Sequence, residues 1–288
     1  MARSSTSLSP FVPYAGTYIG AYLGTYVGIQ GDTMARDHRP FVRHLGIRAA
    51  VAAVLAALAM GALGLAALPG AAAAGKPLGD DVSSHQKNVD WGAAKGRGAS
   101  FVYVKATEST WYRNPYFAQQ YDGARQAGLV RGAYHFAVPD QSSGQAQAAY
   151  FVQHGGGWRR DGWTLPPALD LEHNPYSNGD SGDKCYGLSP AAMAEWITAF
   201  SDEVHLRTGR RPVIYTTAPW WHDCTRDSRA FAATHPLWLA RYAASPGALP
   251  AGWSRWTFWQ YANGSGSLPG DQNLFNGTFA QLKKFAKG

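Results

Sequence analysis

The sequence predicts an α/β fold in which eight strands close into a barrel whose outer ring of helices is incomplete. Three observations carry this expectation. Eight short apolar runs recur between residues 78 and 275, each with the length of a buried strand. Helical patterns alternate with the early runs, and strand–helix–strand alternation argues a parallel sheet. The last third shows little helix between its runs, and residues 75–288 are short beside the roughly 250 residues of a regular eightfold barrel.

The strand runs are residues 78–82, 100–105, 129–136, 167–172, 212–216, 236–241, 256–261 and, weakest, 273–275. Between the early ones, residues 114–127 read as a helix that opens on a cap-like Asn114-Pro115 and stops at Gly128. Residues 144–154 read as another. The clearest helix is 189–208: Ser189 caps it, Pro190 occupies its first turn and Gly209 ends it. Met193, Trp196, Ile197, Phe200 and Val204 form one apolar stripe along it.

Residues 1–74 stand outside this pattern and divide in two. Residues 1–33 are a low-complexity segment containing a four-residue repeat, Gly-Thr-Tyr-Ile, Gly-Ala-Tyr-Leu, Gly-Thr-Tyr-Val, over residues 16–27. The second methionine, Met34, is the expected true start. Residues 34–74 then have a basic head (Arg36, Arg39, Arg43, Arg48), an Ala/Leu/Val-rich middle and a small-residue end at Ala74, the three parts of a secretory signal peptide. The expected enzyme domain is 75–288. Five of the 26 basic residues and two of the 19 acidic ones precede residue 75, leaving a net charge of +4. A mildly cationic exported protein suits an anionic wall polymer as well as ordinary solubility. No basic tract is dense enough to argue nucleic acid, and no stable membrane association is expected once the signal is cleaved. Cys185 and Cys224, in an exported chain, are most simply one disulfide. Two thiols without histidines at ligand spacing do not make a metal site. No metal or organic cofactor motif appears, and a monomer is expected.

Chemistry in such barrels sits where strands end. Asp81 ends the first strand, Lys105, Thr107 and Glu108 follow the second, and Tyr134 and His135 end the third. Asp170 and Glu172 end the fourth, Tyr215 lies on the fifth, Arg241 and Tyr242 end the sixth, Gln260 and Tyr261 the seventh, and Asp271 precedes the eighth. Asp170 and Glu172, two apart on a strand, project from one face. Alone, Asp-x-Glu occurs by chance on the order of once in a chain this long. With aromatics and further carboxylates at the same rim it suits a polysaccharide groove. His135 reads more readily as a hydrogen-bonded core histidine than as a catalyst. Asp271, in Pro-Gly-Asp, suits a turn as well as a site. Trp253, Trp256 and Trp259 cannot all face a groove, and Lys105 suits an ion pair as well as a substrate contact.

Taken in order, Gly79-Asp80-Asp81-Val82-Ser83-Ser84-His85-Gln86, Val89-Asp90-Trp91, Phe101 to Glu108, Gly132-Ala133-Tyr134-His135-Phe136, Leu169-Asp170-Leu171-Glu172, Val213-Ile214-Tyr215-Thr216, Leu237 to Tyr242, Trp259-Gln260-Tyr261 and Asp271 to Gly277 resemble the glycoside hydrolase family 25 lysozymes, the Chalaropsis-type muramidases. The resemblance implies a flattened, irregular TIM-like barrel, (β/α)5(β)3. It implies a secreted or wall-associated glycosidase that cleaves the β-1,4 bond between N-acetylmuramic acid and N-acetylglucosamine in bacterial peptidoglycan. It also implies that Glu172 is the general acid. Asp170 would stabilise the cationic intermediate or orient the substrate N-acetyl group, and Asp81 and Asp271 would be the other groove carboxylates. Tyr134, Tyr215, Gln260, Arg241, Tyr242 and Lys105 are the expected substrate contacts. Asp80 and His85 depart from the family pattern, which has an apolar residue at the first position and an aromatic at the second. Asp80 pointing outward would be harmless; pointing inward, it would raise neighbouring pKa values. Glu172 is expected to titrate high because Asp170 and Asp81 stay ionised nearby. A direct Asp nucleophile and a neighbouring N-acetyl nucleophile both fit the sequence. The other function classes are a chitinase-like enzyme acting on N-acetylhexosamines and a non-catalytic wall-binding barrel.

Overall fold

A computed structural model describes residues 75–177 and 183–288. The expected low-complexity segment 1–33 and signal peptide 34–74 lie outside the described residues. Among those described, no helix is long and apolar enough to cross a membrane.

The strands are β1 (Leu78–Val82), β2 (Ala99–Glu108), β3 (Tyr112–Arg113), β4 (Val130–Phe136), β5 (Ala168–Asp170), β6 (Val213–Thr216), β7 (Leu237–Ala240), β8 (Phe258–Ala262) and β9 (Asp271–Phe275). Among the described residues they form one sheet in the order β1-β9-β8-β7-β6-β5-β4-β2-β3, and a further β1–β2 pairing closes eight of them into a barrel. Every pairing from β1 through β2, β4, β5, β6 and β7 to β8 is parallel, whereas β9 runs antiparallel to both β8 and β1. That reversal puts the first residue of β9, Asp271, at the same rim as the last residues of the parallel strands.

The outer ring holds α1 (Trp91–Gly96), α2 (Phe117–Gln126), α3 (Gly144–Gln153), α4 (Pro190–Thr208) and α5 (Ala218–Thr225), and α6 (Phe279–Lys287) follows β9. No helix stands between β7 and β8 or between β8 and β9. Five β/α units followed by three strands is the architecture expected. α4 keeps its predicted cap: Ser189 accepts from the Ala192 amide, Gly209 adopts a left-handed φ of 75°, and the whole apolar stripe is buried. The start of α2 differs from expectation. Asn114 is not its N-cap; its Oδ1 accepts from the Tyr116 amide while its Nδ2 bonds Lys105 O and Gln120 Oε1, so it ties β2 to the helix from outside. β2 continues to Glu108 because its polar end pairs on both sides, with β3 and β4.

The barrel interior is filled with aromatics. Tyr103 stacks on Trp238 at 4.7 Å and meets Phe258 edge to face, and Tyr215 meets Trp238 edge to face at 4.8 Å. Gly79 is required by this packing, because a Cβ there would lie 2.6 Å from the Phe101 ring. α6 closes the bottom of the barrel with Leu282 and Phe285, the latter against Phe258 and Phe275. A second core lies between the strands and α3, α4 and α5.

Cys185 and Cys224 are bonded as expected, across 39 residues, joining the entry to α4 to the end of α5. Replacing both with alanine is expected to lower unfolding free energy by about 4 kcal/mol on the chain-entropy account. Urea denaturation measures this, and an unchanged midpoint would contradict it.

Candidate active site

Strand alternation sends Asp81, Lys105, Tyr134, Asp170 and Tyr215 to the inside of the barrel mouth, where Glu172, Gln260 and Asp271 join them around one cavity of about 240 Å3. The four carboxylates singled out in the sequence are therefore brought together. Trp238, Ser83, His85 and Gln86 also line the cavity, so His85 stands at the mouth in the place expected for an aromatic. Tyr242 lies at the edge: its hydroxyl donates to Gln260 Oε1 at 3.1 Å and to Asp271 Oδ2 at 3.3 Å. Arg241 does not reach the cavity. It turns outward and donates to the Ser245 carbonyl at 3.0 Å, because the residue following an inward position on an extended strand faces the other way. Lys105 makes the ion pair that was one of its two readings, with Glu108, and also lines the cavity. Trp253 and Trp259 are buried and Trp256 partly so, and none of the three lines the cavity.

A hydrogen-bonded network fixes Asp81. Its Oδ2 accepts from Gln260 Nε2 at 2.8 Å and from Asn273 Nδ2 at 2.7 Å. Each amide is itself oriented by a donor to its oxygen, Tyr215 OH at 2.9 Å on Gln260 and Trp238 Nε1 at 2.7 Å on Asn273. Asp271 Oδ1 accepts from the Gly264 amide at 2.9 Å. Asn273 and Trp238 were not picked out from the sequence. The cue was available: Asn273 is two residues after Asp271 on one strand and so shares its face.

Burial dominates the electrostatics. It pushes Asp81 up to about 8, with the Asp271 charge adding to the rise and the two amide bonds opposing it. It pushes Asp170 well above the carboxylate range and raises Glu172 as well; Lys105 opposes both. The two carboxyls act on each other, the Glu172 charge helping to raise Asp170. Asp170 and Asp81 are themselves raised, contrary to the expectation that they stay ionised beside Glu172, and the rise at Glu172 comes first from burial.

Asp80 faces outward, as alternation requires, but not harmlessly. It is fully buried, and neither carboxyl oxygen has a partner among the described residues. Desolvation, helped by the neighbouring Asp81 charge, pushes it well above the usual range. His135 is the core residue expected. Its Nδ1 and Nε2 sit 2.8 Å from Thr107 Oγ1 and 3.0 Å from Gln147 Oε1, and burial lowers it to about 3, so the ring is neutral. Tyr186, missed in the sequence, is buried, and its phenol feels the charges of Asp170 and Glu172.

Comparison with known proteins agrees with this geometry. The pattern described as "Glycosyl hydrolases family 25" matches residues 80–271. An N,O-diacetylmuramidase of a Chalaropsis species is 50% identical over 214 residues, covering 73% of this chain and 99% of that protein. Lysozyme M1 of Streptomyces globisporus is 49% identical over 212 residues, covering 72% of this chain and 70% of that protein. The solved structure of a muramidase from Acremonium alcalophilum is 50% identical, with a TM-score of 0.70, covering 74% of this chain and all of that one.

Proposed function

The chain belongs to glycosyl hydrolase family 25, and on that premise we propose that it is an exported lysozyme that hydrolyses the β-1,4 bond from N-acetylmuramic acid to N-acetylglucosamine in bacterial peptidoglycan. The observation that carries the reading is the convergence of Asp81, Asp170, Glu172 and Asp271 on one cavity at the barrel mouth. Glycosidic cleavage needs a proton on the leaving oxygen and stabilisation of the positive charge left at the anomeric carbon. Glu172 delivers the proton. Burial raises its carboxyl and so favours its holding the proton until the glycosidic oxygen takes it.

Of the two mechanisms left open by the sequence, we take the one in which the substrate's own N-acetyl oxygen is the nucleophile, with ionised Asp170 accepting from the N-acetyl N–H and balancing the charge of the cyclic intermediate. Asp81 and Asp271 add hydrogen-bonding capacity at the same rim. Tyr134, Tyr215, Gln260 and Lys105 contact the sugars, with Tyr242 at the rim. Export of residues 75–288 after removal of 34–74 suits the Cys185–Cys224 bridge, since disulfides persist in oxidising compartments.

The test is end-group analysis after digestion of purified peptidoglycan and of chitin. New reducing muramic ends are expected. Reducing glucosamine ends would indicate the chitinase-like class, and no product the wall-binding class. Within this reading, Asn273→Ala removes one of the two donors on Asp81 and orphans the Trp238 indole. A hydrogen bond to a neutral group is worth about 0.5–1.5 kcal/mol, so kcat/KM is expected to fall roughly two- to tenfold. Unchanged kinetics would show that Asp81 needs no such anchoring.

A further inference from the structure

Beside the cavity the protein exposes two large aromatic side chains that neither the core nor the catalytic groups use. Trp111 is 57% exposed and Tyr176 is 54% exposed. Trp111 sits in the turn between β2 and β3, and Tyr176 in the segment after β5, so both rise from the rim that carries the four carboxylates. Their rings meet edge to face at 6.3 Å. With Val138, Asp140 and Gln141 they line a second cavity of about 260 Å3, small beside the roughly 300–1,000 Å3 of drug-sized ligand sites and in keeping with a ligand of one ring.

A chain of hydrogen-bonded side chains links the two cavities. The Tyr176 hydroxyl donates to one oxygen of Glu108, the other oxygen accepts from Lys105, and Lys105 lines the catalytic cavity. On the opposite side Tyr112, edge-on to Trp111, donates to Ser84 Oγ at 2.8 Å, beside the cavity-lining Ser83 and His85. The turn that presents Trp111 is held in a demanding conformation. Ser109 has a φ of 47°, a left-handed backbone that disfavours a non-glycine residue, and its amide is fixed to Phe136 O at 3.2 Å.

We propose that Trp111 and Tyr176 form an outlying subsite that holds one hexosamine ring of the glycan strand whose bond is cut in the main cavity. The inference rests on the glycan-cleaving reading above and extends it. An aromatic wall takes the apolar face of a pyranose ring, while Asp140 and Gln141 offer acceptors and a donor to its hydroxyl and N-acetyl groups. A strand leaving the catalytic cavity past Lys105 reaches this wall next.

The test reads binding. Glu172→Gln protein is titrated with a peptide-free octasaccharide of alternating N-acetylglucosamine and N-acetylmuramic acid, and with the corresponding tetrasaccharide. Adding Trp111→Ala is expected to weaken the octasaccharide three- to tenfold, to leave the tetrasaccharide within twofold, and to be largely rescued by Trp111→Phe. Equal octasaccharide affinity with and without Trp111 overturns the subsite, as does an equal loss for both lengths. A loss seen only with peptide-bearing strands assigns the wall to the stem peptide and also overturns it. Failure of the native protein to release reducing ends would instead sink the catalytic reading while this binding result stands.

Discussion

Glu172→Gln is expected to lower kcat/KM on purified peptidoglycan by roughly 10²–10⁴-fold, the usual range for loss of a positioned general acid, with the fold unchanged. The substitution keeps the shape of the side chain, so lost packing would not account for the effect. It removes the proton that the proposed general acid delivers. Asp170→Asn is expected to cost a comparable factor, falling mainly on kcat: Asn cannot become the anion that faces the N-acetyl group. Reducing-end release measured for both variants checks this. A Glu172→Gln rate within twofold of the native protein would remove Glu172 from the acid role.

The second large effect is on stability, which is expected to fall as pH rises from 6.5 to 8. Asp80, Asp81, Asp170 and Glu172 all have carboxyls raised in the folded state, Asp81 to about 8. Over the window between the ordinary carboxylate range and its raised value, each holds a proton when folded that it releases when unfolded. Stability therefore declines with pH, by up to about 1.4 kcal/mol per unit for each group. His135 and His235, lowered by burial to about 3 and about 4, act in the opposite sense. Their stabilisation is complete above about 6.5 and is lost as pH falls through the window to their folded values, so above 6.5 they contribute no slope. Asp80→Asn isolates one carboxyl outside the catalytic cavity. It is expected to flatten the decline by up to about 2 kcal/mol between pH 6.5 and 8, roughly 4–8 °C in Tm for a domain of this size. Thermal unfolding of both proteins across that range measures it. An identical slope would mean that Asp80 is ionised throughout, its charge balanced in place.

Much of the barrel was legible because it follows from local rules. Each apolar run became a strand within a few residues of its expected ends, and the alternation of side chains put Asp81, Asp170 and Tyr215 on the inner face. What escaped depended on contacts between distant segments. α1 and α5 are short, carry no apolar stripe, and are held by burial of Trp91, Trp220 and Trp221; α6 is held by packing under the barrel against Phe258 and Phe275. Asn114 looked like a cap because Asn-Pro before a helix usually is one, yet its amide is engaged by Lys105 and Gln120. Arg241 was expected in the site by position in a motif, but the strand's alternation turns it out to Ser245. Protonation was the least legible property. The sequence shows four carboxylates and their charges, whereas the rise at Asp170 is set by how completely the closed barrel removes it from water.

That last property offers the most direct measurement. The chain has only four glutamates, Glu108, Glu172, Glu195 and Glu203, so a protein labelled with carbon-13 at the glutamate side-chain carboxyl gives few signals, and the one missing from Glu172→Gln identifies itself. Followed by NMR across pH, that signal is predicted to titrate clearly above the ordinary glutamate value of about 4.3, and to shift when Asp170→Asn removes the neighbouring carboxyl. A Glu172 carboxyl that ionises at the ordinary value and ignores Asp170 would contradict the account.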